Sequence, residues 1–265
     1  MAEVIGTLMQ NVPFRLIELI KVIGLNQLIN PCKVALFLSL FGVFVTPGAS
    51  AAENEGGVAL AIVYDTSGSM KENVKDEQGK ASPKYVIANR ALISISKQIQ
   101  SFITNTADGS PRKVDAGLFI FEGDSATQVF AVKPFDGKAF EDWARQFSNP
   151  HGNTPLGKSL SMAAQAVMSS PLPRKHVLVI TDGMNTVGPK PEQVMPGLKT
   201  KADQKGTSLS VHFVAFDVAA KVFDPIKKLG ATVVGAADER QLDSQLQFIL
   251  ERKILLEEEE PPKKH

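Results

Sequence analysis

Two short apolar runs constrain the fold of this chain more than any other feature of its sequence. Residues 58–64 read VALAIVY and end at Asp65, and residues 175–181 read KHVLVIT and end at Asp182. Apolar runs of this length are typical of strands that are buried on both faces, as in parallel sheets covered by helices. The sequence therefore places one carboxylate directly after each of two buried strands.

Helical and strand-like patterns alternate along the rest of the chain. Helical spacing begins at Pro83, with Ser82 as the predicted N-cap, and the polar residues 71–82 before it are predicted to form a surface loop. Residues 115–121 and 127–132 predict a β-hairpin. Further helices are predicted at 138–147, 155–168, 191–204, 220–229 and 239–255, and further strands at 209–215 and 232–234.

This alternation predicts an α/β fold that is doubly wound. We expect a mainly parallel central sheet, flanked by helices on both faces, with one antiparallel edge strand. In such sheets ligands bind at the carboxyl ends of the strands, where the loops emerge.

The first 51 residues are predicted to be a leader and not a folded domain. Residues 34–45 are apolar, follow Lys33 and precede Ala49-Ser50-Ala51, a pattern typical of a secretory signal peptide cleaved after Ala51. The apolar stretch is short for a membrane span. A buried helix, an uncleaved anchor, or a true start downstream at Met9 remain alternatives for this long leader. Residues 52–256 are expected to form one domain in the periplasm or outside the cell, followed by a charged, frayed tail at 257–265.

Charge and cysteine content exclude some classes of protein. The leader holds three basic and two acidic residues, so 26 of each remain and the mature chain is formally neutral. Its scattered basic residues argue against nucleic acid as the main ligand. The one cysteine, Cys32, lies in the leader, so the mature chain has no disulfide.

The loop after the first apolar run carries the strongest chemical signal. Asp65, Ser67 and Ser69 alternate with Thr66 and Gly68, so a tight turn directs one carboxylate and two hydroxyls towards one point. Such oxygen ligands suit a hard cation. Thr154 and Asp182 stand at the mouths of two further loops, and the five residues together predict a metal site.

These residues resemble the metal-ion-dependent adhesion site of von Willebrand factor A domains, which has Asp-x-Ser-x-Ser, a distant Thr and a distant Asp-Gly. The matching segments are Asp65 to Ser69, Gly152 to Leu156 around Thr154, and Asp182-Gly183. The resemblance covers about residues 56–250. It implies a six-coordinate Mg²⁺ or Mn²⁺, with Ca²⁺ less expected, bound directly by the serines and threonine and often through water by the aspartates.

The resemblance also implies a binding module and not an enzyme. A Glu or Asp of a protein partner is expected to complete the coordination of the ion. In some relatives partner binding shifts the last helix, here residues 239–255.

Two enzymatic alternatives compete with this hypothesis. Residues Gly152 to Ser159 satisfy the Walker A expression of nucleotide-binding NTPases, although no apolar strand precedes them and Pro155 removes a backbone donor. A metal-dependent hydrolase using His151 is the other alternative, but a place on the rim of the site is the expectation for this side chain. Asp124 is interpreted as a turn residue, and His176 and His212 as packed within strands.

Overall fold

The computed structural model describes residues 56–105 and 112–256. Within these ranges, six strands form one sheet, in the spatial order 125–134, 113–122, 57–64, 174–181, 209–216 and 232–236. In this sheet only the first two strands pair antiparallel, and they lie at one edge. The predicted fold class is therefore confirmed. The predicted leader at 1–51, with its cleavage point, and the predicted tail at 257–265 lie outside the described residues.

The strands of the central sheet coincide with the predicted apolar runs to within a few residues. They are β1 Gly57–Tyr64, β4 Lys113–Glu122, β5 Ser125–Pro134, β6 Arg174–Thr181, β7 Leu209–Phe216 and β8 Thr232–Ala236. Two short strands, β2 Asn73–Lys75 and β3 Ala81–Pro83, pair with each other in a separate hairpin.

Helices cover both faces of the sheet. They are α1 Lys84–Thr104, α2 Gly137–Gln146, α3 Leu156–Val167, α4 Pro191–Gln204, α5 Asp224–Lys228 and α6 Glu239–Ile249, which continues as a π-helical segment Leu250–Leu255. None of the helices in the described ranges is long and apolar enough to span a membrane.

The alternation of side chains along β1 divides the core into two layers. Leu60, Ile62 and Tyr64 pack on the side covered by α1, α2 and α6. Ala59 and Ala61 point to the other side, where α3 and α4 pack. Successive residues of a strand face opposite sides of the sheet, so a central strand covered by helices on both sides is apolar throughout. All eight residues of β1 are buried.

The region before α1 differs from the sequence-based expectation. Residues 71–82 are not an irregular loop, because β2 and β3 pair within them. Ser82 does not cap α1. Its hydroxyl donates to Asp76 Oδ2 at 3.0 Å, and Pro83 takes the cap position without a side-chain hydrogen bond. The competing acceptor in the hairpin turn explains why a serine placed as an N-cap serves the turn instead.

Two later helices also differ from their predictions. Residues 220–229 divide into a 3₁₀ turn, Ala220–Phe223, and the short α5, which starts at the residue before Pro225. The single helix predicted at 239–255 is α-helical only to Ile249. Apolar periodicity continues across both transitions, so periodicity alone does not reveal them.

Candidate metal centre

The loop after β1 is held by hydrogen bonds to the completely buried Asp65. Its Oδ1 accepts from the backbone N–H of Ser67 at 2.8 Å, and its Oδ2 accepts from the hydroxyl of Thr181 at 2.6 Å. The side chain of Thr66 turns away from this group and bonds both the N–H and the carbonyl of Phe121 on β4. The alternation seen in the sequence therefore directs Thr66 towards β4 and away from Asp65.

Three side-chain oxygens from two loops form a continuous chain. Ser67 Oγ lies 3.1 Å from Ser69 Oγ, and Ser69 Oγ donates to Asp182 Oδ1 at 2.8 Å. Asp182 follows β6, which pairs in parallel with β1. Parallel pairing thus brings the carboxyl ends of β1 and β6 together.

The loop that carries Thr154 is tied to the other two. Gly68 N–H donates to the carbonyl of Gly152 at 3.1 Å, and Thr154 exchanges hydrogen bonds with Thr186 through its own N–H and carbonyl. A Cβ placed on Gly183 would lie 3.9 Å from both Ser69 Oγ and Thr154 Oγ1. The hydroxyls of Ser69 and Thr154 therefore converge beside the same glycine, and all five residues of the predicted site lie at one end of the sheet.

The oxygen spacings fit a hard divalent cation. Neighbouring ligands of an octahedral Mg²⁺, with bonds of about 2.1 Å, lie about 3 Å apart. The separations between successive oxygens from Ser67 through Ser69 to Asp182 are 3.1 and 2.8 Å, close to this spacing. Across residues 56–105 and 112–256, no group of three or more His, Cys, Asp or Glu side chains is arranged to hold a metal. An ion at this site would depend on the hydroxyls.

Burial destabilises the ionised form of Asp65 when no cation is present. Burial, together with repulsion from Asp182, raises the pKa of Asp65 from 3.8 to about 6, although hydrogen bonds from Ser67 and Thr181 partly oppose the shift. A cation beside two buried carboxylates would remove this penalty.

Sequence reasoning missed Lys84, the first residue of α1. Its side chain is only 3% exposed, and its Nζ lies 3.1 Å from Asp182 Oδ2, 2.9 Å from Glu72 and 3.1 Å from Asp217. Burial opposes the charged form, but hydrogen bonds to Glu72 and Asp182 raise the pKa of Lys84 well above its usual value. One sequence signal could have identified Lys84: it is a cation at the start of a predicted helix, where the helix dipole disfavours positive charge.

Asp124 contributes more than the turn that its sequence position suggests. It lies in the two-residue turn between β4 and β5, and its Oδ1 also accepts from Asn153 Nδ2 at 2.6 Å. Lys158 Nζ donates to the Asp124 carbonyl at 2.6 Å. The Asn153 bond joins the loop of Thr154 to the turn between β4 and β5.

The three described histidines lie where the sequence places them or close to it. His151 is exposed beside the threonine loop, and its backbone N–H donates to the Thr66 carbonyl at 2.7 Å. His176 and His212 are buried on β6 and β7, with Nδ1 of the first 3.3 Å from Nε2 of the second.

The structure argues against the Walker A alternative. Residues 152–159 follow α2 and a short coil, not a strand. Two donors that a phosphate would need are already engaged: Gly157 N–H bonds Asn185 Oδ1 at 3.2 Å, and Lys158 Nζ bonds the Asp124 carbonyl. A Cβ on Gly157 would lie 2.0 Å from the carbonyl oxygen of Pro189. This glycine therefore permits close packing of two chain segments and does not open a phosphate cradle.

The fold and the site together define a doubly wound α/β domain with a hydroxyl-rich cluster of oxygens at the carboxyl end of its sheet. The model of the von Willebrand factor type A domain family matches residues 59–242, and the chain belongs to this family. The family predicted from three separated motifs is thus confirmed. No curated protein sequence matches the chain.

Several solved structures share this fold at low sequence identity. Proximal thread matrix protein 1 from the mussel byssus superposes with a TM-score of 0.54 at 15% identity, over 74% of this chain and 48% of that one. The PilB minor pilin from Streptococcus sanguinis gives a TM-score of 0.54 at 16% identity, over 74% and 61%. The chain thus spans about half of the mussel protein and three-fifths of the pilin.

A further structure of the mussel protein has zinc in its metal-ion-dependent adhesion site (MIDAS) motif. It matches at 16% identity with a TM-score of 0.55, over 74% of this chain and 48% of that one. At these identities the likeness concerns the fold.

Proposed function

We propose that the oxygen cluster binds Mg²⁺ or Mn²⁺, which supplies a coordination position for the carboxylate of a Glu or Asp in a protein partner. The binding side chains would be Asp65, Ser67, Ser69, Thr154 and Asp182. The observation that carries the proposal is the convergence of Ser67 Oγ, Ser69 Oγ and Asp182 Oδ1 from loops after two different strands, with separations of 3.1 and 2.8 Å. The family and the zinc-occupied motif of the mussel protein support it.

The chemistry of the cluster favours binding over storage of the ion. Three of the five side chains are neutral hydroxyls, which compensate little of the charge of a divalent cation. An anionic oxygen from outside would therefore be bound strongly, and each ligand would raise the affinity for the other. The loops need little rearrangement, because backbone hydrogen bonds already join the serine loop to the threonine loop.

The rim of the cluster offers a further contact to a partner. Met184 follows Asp182 and Gly183 and is 59% exposed, one of four large apolar side chains that are exposed in the described ranges. A flexible thioether two residues after a proposed ligand suits apolar atoms next to the acidic residue of a partner. We expect the preferred partner segment to carry an apolar residue close to its Glu or Asp.

We further propose that the protein works in the periplasm or outside the cell, after removal of residues 1–51. The apolar stretch and the Ala-Ser-Ala pattern support this location. The domain would then comprise residues 52–256.

Isothermal titration with Mn²⁺ tests the proposal directly, with Thr154→Ala compared with Lys158→Ala. The first variant removes a proposed ligand, and we expect its Mn²⁺ affinity to fall by about tenfold or more, as expected when one coordinating oxygen is lost. The second removes a neighbouring charge that bonds a carbonyl and should bind Mn²⁺ nearly as the wild type does.

Partner capture provides the second arm of the test. Capture from an envelope extract should require Mg²⁺, be abolished by EDTA and be lost in Thr154→Ala only. Equal Mn²⁺ affinity in both variants, or capture that persists in EDTA, would refute the proposal. An essential Lys158 would instead favour the NTPase alternative.

A further inference from the structure

The buried ammonium of Lys84 lies directly behind the oxygen cluster. Asp182 connects the two: its Oδ1 accepts from Ser69, while its Oδ2 lies 3.1 Å from Lys84 Nζ. The side chain of Asp182 is 0% exposed and that of Lys84 is 3% exposed. The carboxylate therefore faces the proposed ion with one oxygen and a fixed positive charge with the other.

Several features of Lys84 run against ordinary preferences. It opens helix α1, where the helix dipole disfavours a cation, and it is buried, which a lysine avoids unless it is paired. One of its partners, Asp217, has a left-handed backbone with φ of 52°, a conformation that non-glycine residues rarely adopt. Structure that maintains unfavourable placements of this kind is typical of functional sites.

Charge balance indicates what this ammonium does. The fully buried charges at the site are Asp65, Asp182 and Lys84, with a sum of −1. A divalent ion would change this sum to +1, whereas without Lys84 the sum would be zero. The two other partners of the ammonium, Glu72 and Asp217, have side chains that are 69% and 40% exposed, so their ion pairs with Lys84 are partly hydrated and weaker than the pair with buried Asp182.

We infer that Lys84 is a positioning residue that acts through Asp182 to weaken the hold of the cluster on a bare divalent ion. It thereby keeps the occupied cluster positively charged, and this charge favours binding of a carboxylate from the partner. The inference rests on the proposed function and names a residue that regulates it. Replacing Lys84 by a neutral residue should strengthen metal binding and weaken carboxylate binding, two changes of opposite sign.

Mn²⁺ titration of Lys84→Gln beside Lys158→Gln tests the first change. Both variants lose one positive charge, but only Lys84 contacts a proposed ligand, since Lys158 bonds the carbonyl of Asp124. At mildly alkaline pH and matched ionic strength, we expect Lys84→Gln to bind Mn²⁺ about tenfold more tightly than the wild type, because a like charge is removed from a buried site. Lys158→Gln should change little, and Lys84→Arg, which keeps the charge, should stay close to the wild type.

Acetate binding to the Mn²⁺-saturated protein tests the second change. It is followed by the paramagnetic broadening of the acetate methyl signal. This measurement remains valid if metal-free Lys84→Gln unfolds, since the bound ion stabilises the folded state. We expect acetate to bind several-fold more weakly to Lys84→Gln than to the wild type.

The outcomes separate the two proposals. A wild-type protein that binds no Mn²⁺ contradicts the proposed function itself. A wild type that binds Mn²⁺ and a Lys84→Gln variant with unchanged or weaker Mn²⁺ affinity overturns the inference alone, as does unchanged acetate binding to the saturated variant.

Discussion

Replacing Asp65 by Asn should stabilise the metal-free protein while abolishing its stabilisation by metal. Burial and repulsion from Asp182 raise the pKa of Asp65 from 3.8 to about 6. The folded state thus keeps a proton that the unfolded state releases. The contribution of Asp65 to the stability of the wild type is therefore fully present below pH 3.8 and is lost as the pH rises through about 6. A shift of about two pKa units corresponds to about 3 kcal/mol of lost stability above that pH.

The hydrogen bonds of Asp65 allow an amide in its place. Asn Oδ1 can accept from Ser67 N–H, and its Nδ2 can donate to Thr181 Oγ1, whose proton can turn to the Gly183 carbonyl at 3.1 Å. The amide is neutral and accepts weaker hydrogen bonds than the carboxylate, which would reduce the gain in stability by about 1 kcal/mol. We therefore expect Asp65→Asn to be about 2 kcal/mol more stable than the wild type at about pH 8 in EDTA, and the difference to shrink near pH 4.

Urea unfolding in EDTA and in Mg²⁺ measures both effects. Asp203→Asn on α4, which replaces an exposed carboxylate, is the matched control and should leave stability nearly unchanged. In Mg²⁺ only the wild type and the control should gain stability. A metal-free Asp65→Asn variant that is less stable than the wild type at alkaline pH would contradict this prediction. So would an Asp203→Asn variant that gains as much stability in EDTA as Asp65→Asn does.

Two predictions concern residues away from the cluster. Burial lowers the pKa of His176 from 6.5 to about 3 and that of His212 to about 4, so below pH 6.5 the unfolded state takes up protons that the folded state refuses. At about pH 5 each histidine should lower the free energy of unfolding by about 2 kcal/mol. Between neutral pH and pH 5, urea titrations should therefore show a loss of stability that is about 2 kcal/mol smaller for His212→Leu than for the wild type. An equal loss in both proteins would contradict a buried, neutral His212. Gly157→Ala should destabilise the domain by about 2 kcal/mol or more, because its Cβ would overlap the Pro189 carbonyl. Gly197→Ala, with nothing within 4 Å, should be neutral or stabilise helix α4, and similar unfolding midpoints for the two variants would refute the packing argument.

Local patterns predicted most of the elements of the fold. Strands β1 and β6 were identifiable because a strand covered on both faces must be apolar throughout, and α4 was predicted with the bounds that the structure shows. The predictions were wrong where the same residue could serve two different local structures. Ser82 bonds Asp76 in a hairpin turn and does not cap α1, because an acceptor six residues away was available.

The sequence by itself determined the five proposed ligands and the end of the sheet where they lie. Residues after parallel strands emerge at one edge of the sheet, so recognition of β1 and β6 places Asp65 and Asp182 at the same edge. The pairing of β1 with β6 makes them neighbours. The tertiary structure alone decided the electrostatics of the cluster. Lys84 looks like an exposed lysine of a polar segment, and only the packing of α1 against the loops after β6 and β7 buries its ammonium between Asp182 and Asp217. Contacts between segments far apart in the chain leave no periodic pattern in the sequence, because each partner alone is compatible with solvent.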